Sequence, residues 1–143
     1  MARTTYLKLE PEVLSEHQEQ VDLMKLVRQH ESRYPELELL YAIPNGGWRN
    51  VKTAAKLKAE GVRPGVPDLH LPVARGTWIG LWIELKRTKG GAVRATQQEW
   101  HDSLMMEGHL VRVCKGADEA WKTLLWYLAL EPTEVSVAAG VSL

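Results

Sequence analysis

Apolar side chains recur at helical spacing from Glu10 to Arg33, at Val13, Leu14, Val21, Leu23, Met24, Leu26 and Val27. Ser15 is placed to cap the main body of this helix, because Glu16 and Glu19 then fall in the first turns, where acids are favoured. Pro35 ends the run. Leu37 to Ile43 reads as a short strand, closed by the turn signal Pro44-Asn45-Gly46-Gly47. Val51 to Glu60 is a short, very basic helix that stops at Gly61. A Gly/Pro loop, Gly61 to Pro67, leads into a strand from Asp68 to Val73. After a turn over Ala74 to Thr77, the bulky alternating stretch Trp78 to Leu85 predicts a buried strand that pairs with the one before it as a hairpin. Thr88 to Ala95 is a basic, glycine-containing loop. Thr96 is a candidate cap for a helix from Gln97 to Glu107, which Gly108 stops. Leu110 to Cys114 is a third core strand. Ala117 to Leu130 is the closing helix, with Trp121, Leu124, Leu125 and Leu128 on one face and Pro132 beyond its end. The order helix, strand, helix, hairpin, helix, strand, helix predicts one α/β domain with a mixed sheet flanked by helices.

Composition changes this picture only at the margins. A chain of 143 residues makes one domain with a real core. It has no apolar run of about 18 residues for a membrane span and no secretory pattern at its start. The lone Cys114 excludes an internal disulfide framework and a cysteine-built zinc site, and it reads as a core residue on its strand. A cytoplasmic setting fits. Phenylalanine is absent, so Trp and Leu are expected to supply the bulky core.

Charge matters more. The net charge is zero, yet Asn45 to Arg94 carries ten Lys or Arg against three acids, a net +7 balanced by −7 elsewhere. A polarised surface of this kind can hold a phosphate backbone on one face, although solvated lysine-rich loops give the same count.

The chemistry centres on Pro67-Asp68 and, further on, Glu84-Leu85-Lys86. Hairpin pairing brings the start of one strand beside the end of the next, and so Asp68 beside Glu84. Glu84 and Lys86 are two apart and share a strand face. Two carboxylates and an ammonium at one sheet edge are what phosphodiester hydrolysis needs. Oxygen ligands hold a hard cation such as Mg²⁺ or Mn²⁺, which polarises the phosphate and acidifies water. Lys86 would position or help deprotonate the attacking water and neutralise transition-state charge. The plain alternative is a surface salt bridge between Glu84 and Lys86. Against it, a strand as apolar as Trp78 to Ile83 carries charge at its end only for a reason.

Pro67-Asp68 with Glu84-Leu85-Lys86 resembles the PD-(D/E)XK nuclease motif. The neighbours resemble its VRR-NUC branch, in the small standalone phage or bacterial form: Ser15-Glu16-His17, Ile43-Pro44-Asn45-Gly46-Gly47, Gly65-Val66-Pro67-Asp68, Glu84-Leu85-Lys86, and Gln97 eleven residues before Gly108. The likeness spans Ser15 to Leu128. It implies a restriction endonuclease-like core over residues 15–130, with an extension at 1–14 and a tail at 131–143. It implies a metal site of Glu16, Asp68, Glu84 and the Leu85 main-chain carbonyl, binding Mg²⁺ or Mn²⁺. It implies Lys86 as the catalytic lysine and Gln97 as a supporting or phosphate-contacting residue. Glu19 competes with Glu16, and Gln98 with Gln97.

The DNA-facing set is Asn45, Arg49, Lys52, Lys56, Arg63, Arg87 and Lys89. Trp48 either stacks on a base or packs in the core or at a subunit contact. The five histidines show no metal-ligand spacing, and His17 reads as a surface residue. The resemblance implies a DNA endonuclease selective for branched DNA such as four-way (Holliday) junctions. Such a junction needs two cuts, which makes a homodimer the natural form. Trp48, Trp126 and the tail are candidate dimer surfaces. A nuclease of the same fold with another substrate, restriction-like or exonucleolytic, and a non-catalytic nucleic-acid-binding module are the competing readings.

Overall fold

The computed structural model describes residues 12–44 and 51–141. Among them, one sheet runs in the order β1-β2-β3-β4, made of Tyr41–Ala42, Leu69–Leu71, Leu81–Lys86 and Leu110–Lys115. β1–β2 and β2–β3 are antiparallel, and β3–β4 is parallel. The helices are α1 (Glu16–His30), α2 (Val51–Ala59), α3 (Ala95–Met106) and α4 (Ala117–Leu128). A parallel pair needs a crossover, and α3 provides it between β3 and β4. The mixed α/β sheet is the one the element order predicts. No helix among the described residues is long and apolar enough to cross a membrane.

α1 and α4 pack on each other and on β3, while α3 packs on β4. The core joins Leu23 and Val27 of α1, Leu69 and Leu71 of β2, Leu81, Ile83 and Leu85 of β3, Cys114 of β4, and Leu124 and Tyr127 of α4. Side chains alternate along a strand, so Trp82, Glu84 and Lys86 stand on the opposite face of β3 from Leu81, Ile83 and Leu85. That alternation places two charged groups under α3. The Tyr127 hydroxyl, at the heart of the core, donates to the Val73 carbonyl at 2.6 Å. Cys114 is buried on its strand, as read from the sequence.

Several local expectations change. The first helix begins at Glu16, and Val13 and Leu14 are exposed ahead of it. Its cap is Ser15, whose Oγ accepts from the Gln18 N–H at 3.1 Å. Leu37 to Ile43 is mostly not a strand. Pro35–Leu39 forms a 3₁₀ turn, and only Tyr41–Ala42 pairs with β2. Leu37 and Leu40 are buried while Leu39 is 54% exposed, a period of three that suits 3₁₀ geometry. β3 starts at Leu81 rather than Trp78. Arg75 and Trp78 exchange backbone hydrogen bonds in a tight turn, and Ile79 beyond it is 51% exposed. α4 stops at Leu128, and its buried line is Ala117, Ala120, Leu124 and Tyr127. Leu supplies most of the core's bulk, as expected, alongside Val27, Ile83 and Tyr127. Trp78 and Trp121 only pack against its margin, so the expectation from composition fails for Trp.

Candidate active site

Asp68 directly precedes β2, and the register Leu69 to Ile83 sets it level with Glu84 across the hairpin. Its main-chain carbonyl accepts from the Ile43 N–H at 2.8 Å. Its carboxylate Oδ2 accepts from the Leu85 N–H at 2.7 Å. One strand residue sends its N–H and C=O to the same edge, so the Leu85 carbonyl also faces Asp68. The Lys86 carbonyl goes the other way and accepts from the Gly116 N–H at 2.9 Å.

Glu84 is 1% exposed and Lys86 4%. Both are tied to Gln97 near the start of α3. Gln97 Nε2 donates to Glu84 Oε1 at 2.8 Å, and Lys86 Nζ donates to Gln97 Oε1 at 3.0 Å. Lys86 Nζ lies 3.5 Å from Glu84 Oε1. The same Gln97 Oε1 accepts from the Arg94 N–H at 2.9 Å. Arg94, not Thr96, is therefore the cap residue of α3. Gln97 supplies the reach-back half of a capping box while serving the site. Gln98 is elsewhere, donating to Asp102 along the exposed side of α3.

The electrostatics follow from burial. Glu84 is pushed up from 4.5 to about 8, first by desolvation, then by the neighbouring Asp68 carboxylate, with Lys86 opposing. Its Oε2 is buried and has no hydrogen-bond partner. Glu84 thus presents one oxygen held by Gln97 and Lys86 and one buried oxygen without a hydrogen-bond partner, with the Asp68 carboxylate neighbouring the group. A hard cation fits that donor set. Among the described residues, no three His, Cys, Asp or Glu side chains converge into a metal cage. The groups that could hold such a cation are the carboxylates of Asp68 and Glu84 and the Leu85 main-chain carbonyl.

The structure separates the two helical acids. Glu19 is buried, and its Oε2 accepts from the Ala117 N–H at 2.5 Å, capping the start of α4. Glu16, one turn earlier and exposed, lines a cleft of about 690 Å³ with Val13, Ser15, Lys86, Arg87, Gly91 and Arg94. Of the DNA-facing set, Arg87 borders this cleft and Lys89 is exposed two residues on. Lys52 and Lys56 are exposed on α2, and Arg63, also exposed, lines a separate pocket with Ala54, Leu57 and Val62. Asn45, Trp48 and Arg49 lie outside the described residues. His17 is exposed, as expected.

His101 was not singled out by sequence. It is 3% exposed, and its Nε2 lies 3.6 Å from Glu84 Oε2. The available signal was its place four residues after Gln97, on the same face of α3. Burial lowers its pKa.

A family model described as the VRR-NUC domain matches residues 6–118. A solved structure described as "VRR_NUC domain protein" is similar, with a TM-score of 0.73 and 29% identity over 85% of this chain and 93% of that one. No curated protein matches the chain.

Proposed function

Since the chain belongs to the VRR-NUC domain family, a family of nucleases, we propose that it is a divalent-cation-dependent DNA endonuclease selective for branched DNA such as four-way junctions, acting as a homodimer in the cytoplasm. The observation that carries this reading is the state of Glu84. It is a buried carboxyl group neighbouring Asp68, with one oxygen held by Gln97 and Lys86 and the other without a hydrogen-bond partner. Residues 15–130 form the catalytic domain in this reading.

Asp68, Glu84 and the Leu85 carbonyl would hold Mg²⁺ or Mn²⁺, with Glu16 reaching in from the cleft wall. When bound, the cation supplies Lewis-acid polarisation of the scissile phosphate and lowers the pKa of water. The Leu85 N–H fixes the Asp68 carboxylate in one orientation. Gln97 bridges Glu84 and Lys86, so the acid and the ammonium keep their spacing without collapsing into a tight ion pair. Lys86 orients the attacking water and balances charge as it builds on the phosphate. Water adds to phosphorus, the bond to the leaving sugar oxygen breaks, and that oxygen takes up a proton. Arg87 and Arg94 line the cleft where the backbone phosphates would pass, and Lys89 is exposed two residues beyond Arg87.

The test uses labelled linear duplex, flap and four-way junction DNA with Mg²⁺, Mn²⁺ or EDTA. Cleavage that needs the cation and falls at least 10²-fold in Lys86→Ala is the expected result. Binding without cleavage under every metal sinks the enzyme reading. Equal cutting of duplex and junction sinks the branch selectivity alone.

A further inference from the structure

We infer that His101 is a positioning residue for the cation site, donating from Nε2–H to the bare oxygen of Glu84 and so fixing the carboxylate that receives the cation. The inference rests on the proposed cation-dependent reading and adds a residue to it. Two buried polar atoms face each other under α3: His101 Nε2 and Glu84 Oε2, 3.6 Å apart. Neither has a hydrogen-bond partner. A buried polar atom without a partner is costly, so two in opposition imply a use.

Geometry settles which use. Glu84 Oε1 already receives Gln97 Nε2 at 2.8 Å and lies 3.5 Å from Lys86 Nζ. That oxygen is occupied, so Oε2 is the one left for a cation. A carboxylate oxygen has two lone pairs, and a cation uses one of them. His101 Nε2, 3.6 Å from this oxygen, is within reach of the other. A shift of about half an ångström brings the 3.6 Å gap into hydrogen-bond range. Gln97 and His101 are four residues apart on one helix face, so a single rigid element grips both oxygens of Glu84. Ligating carboxylates are commonly held this way, and removing the holder typically costs about 10–100-fold in metal affinity.

The test measures Mn²⁺ binding to the intact chain without DNA, by calorimetry and by electron paramagnetic resonance, for wild type, His101→Ala, His101→Leu, His101→Gln and Glu84→Gln. His101→Ala and His101→Leu should weaken Mn²⁺ by about 10–100-fold, and His101→Gln, which keeps an N–H donor, should recover most of it. The bound ion should show no imidazole nitrogen coupling. Wild-type affinity in His101→Leu, with Glu84→Gln abolishing binding, overturns the inference and leaves the cation site standing. Imidazole coupling in the wild type also overturns it, because His101 is then itself a ligand. No Mn²⁺ binding by the wild type overturns both the inference and the cation reading. Melting curves identify any variant that fails to fold, and a poorly folded His101→Ala leaves the His101→Leu and His101→Gln pair to decide.

Discussion

The bare oxygen of Glu84 makes the pH dependence of the protein a residue-scale question. In the folded state its pKa is raised from 4.5 to about 8. Between those values the unfolded chain has lost this proton and the folded chain still holds it. The folded state therefore binds more protons there, and stability falls as pH rises through the window. Below pH 4.5 the favourable contribution is fully present. Glu84→Gln keeps a neutral side chain at every pH and should flatten this loss in urea unfolding of cation-free protein between pH 5 and 8. An unchanged slope would return Glu84 to an ordinary pKa. A cation demands the ionised carboxylate, so Mn²⁺ affinity should climb over the same range. At this scale Glu84 and Lys86 are legible as charge at the end of an apolar run and Asp68 as the residue strand pairing sets beside them, whereas Gln97 is indicated only by the family resemblance. His101 is not legible. A histidine inside a helix has no local signature, and its meaning comes only from what lies across the interface.

At the scale of elements, the site depends on how the loop before β2 meets the start of α3. Gly65 has φ +90, and a Cβ there would stand 2.7 Å from the Thr96 carbonyl oxygen. Thr96 is part of α3 backbone and has little room to move. Gly65→Ala should therefore cost about 1–3 kcal/mol, from backbone strain and from lifting the loop off the helix. Because that loop ends in Asp68 and the helix start carries Gln97, cleavage should fall more than stability does. Wild-type turnover together with wild-type denaturation midpoint would show that the contact is slack. The hairpin and the β3-α3-β4 crossover were readable from strand spacing and glycine stops. The 3₁₀ turn at Pro35–Leu39 was not, because a run such as Leu37, Leu39, Leu40 fits periods of two and three alike. The cap of α3 was misread for a similar reason. Thr96 has the preferred side chain, but Gln97 reaching back to Arg94 decides where the helix starts.

The two ends of the fold are tied together just behind Lys86, whose carbonyl accepts from the Gly116 N–H. Glu19 near the start of the chain caps Ala117, 98 residues later. Gly116, with φ +88, lets the chain come that close, since a Cβ there would stand 3.1 Å from Glu19 Oε2. Glu19→Ala should lower unfolding free energy by about 1–3 kcal/mol by stranding the α4 N–H. Glu16→Ala, on the exposed cleft wall, should leave stability within about 0.5 kcal/mol and reduce cleavage instead. The reverse result, a stability loss at Glu16 and an activity loss at Glu19, would exchange their roles. Helical spacing put both acids in one turn and left their division open, because the partner that distinguishes them is remote in sequence. The same contact bears on synthesis. A nascent chain displays Asp68, Glu84 and Lys86 well before Ala117 has left the ribosome, and until then α1 lacks α4 to hold it in place. Glu16 on α1 is thus fixed at the cleft wall late, when nearly the whole domain is out.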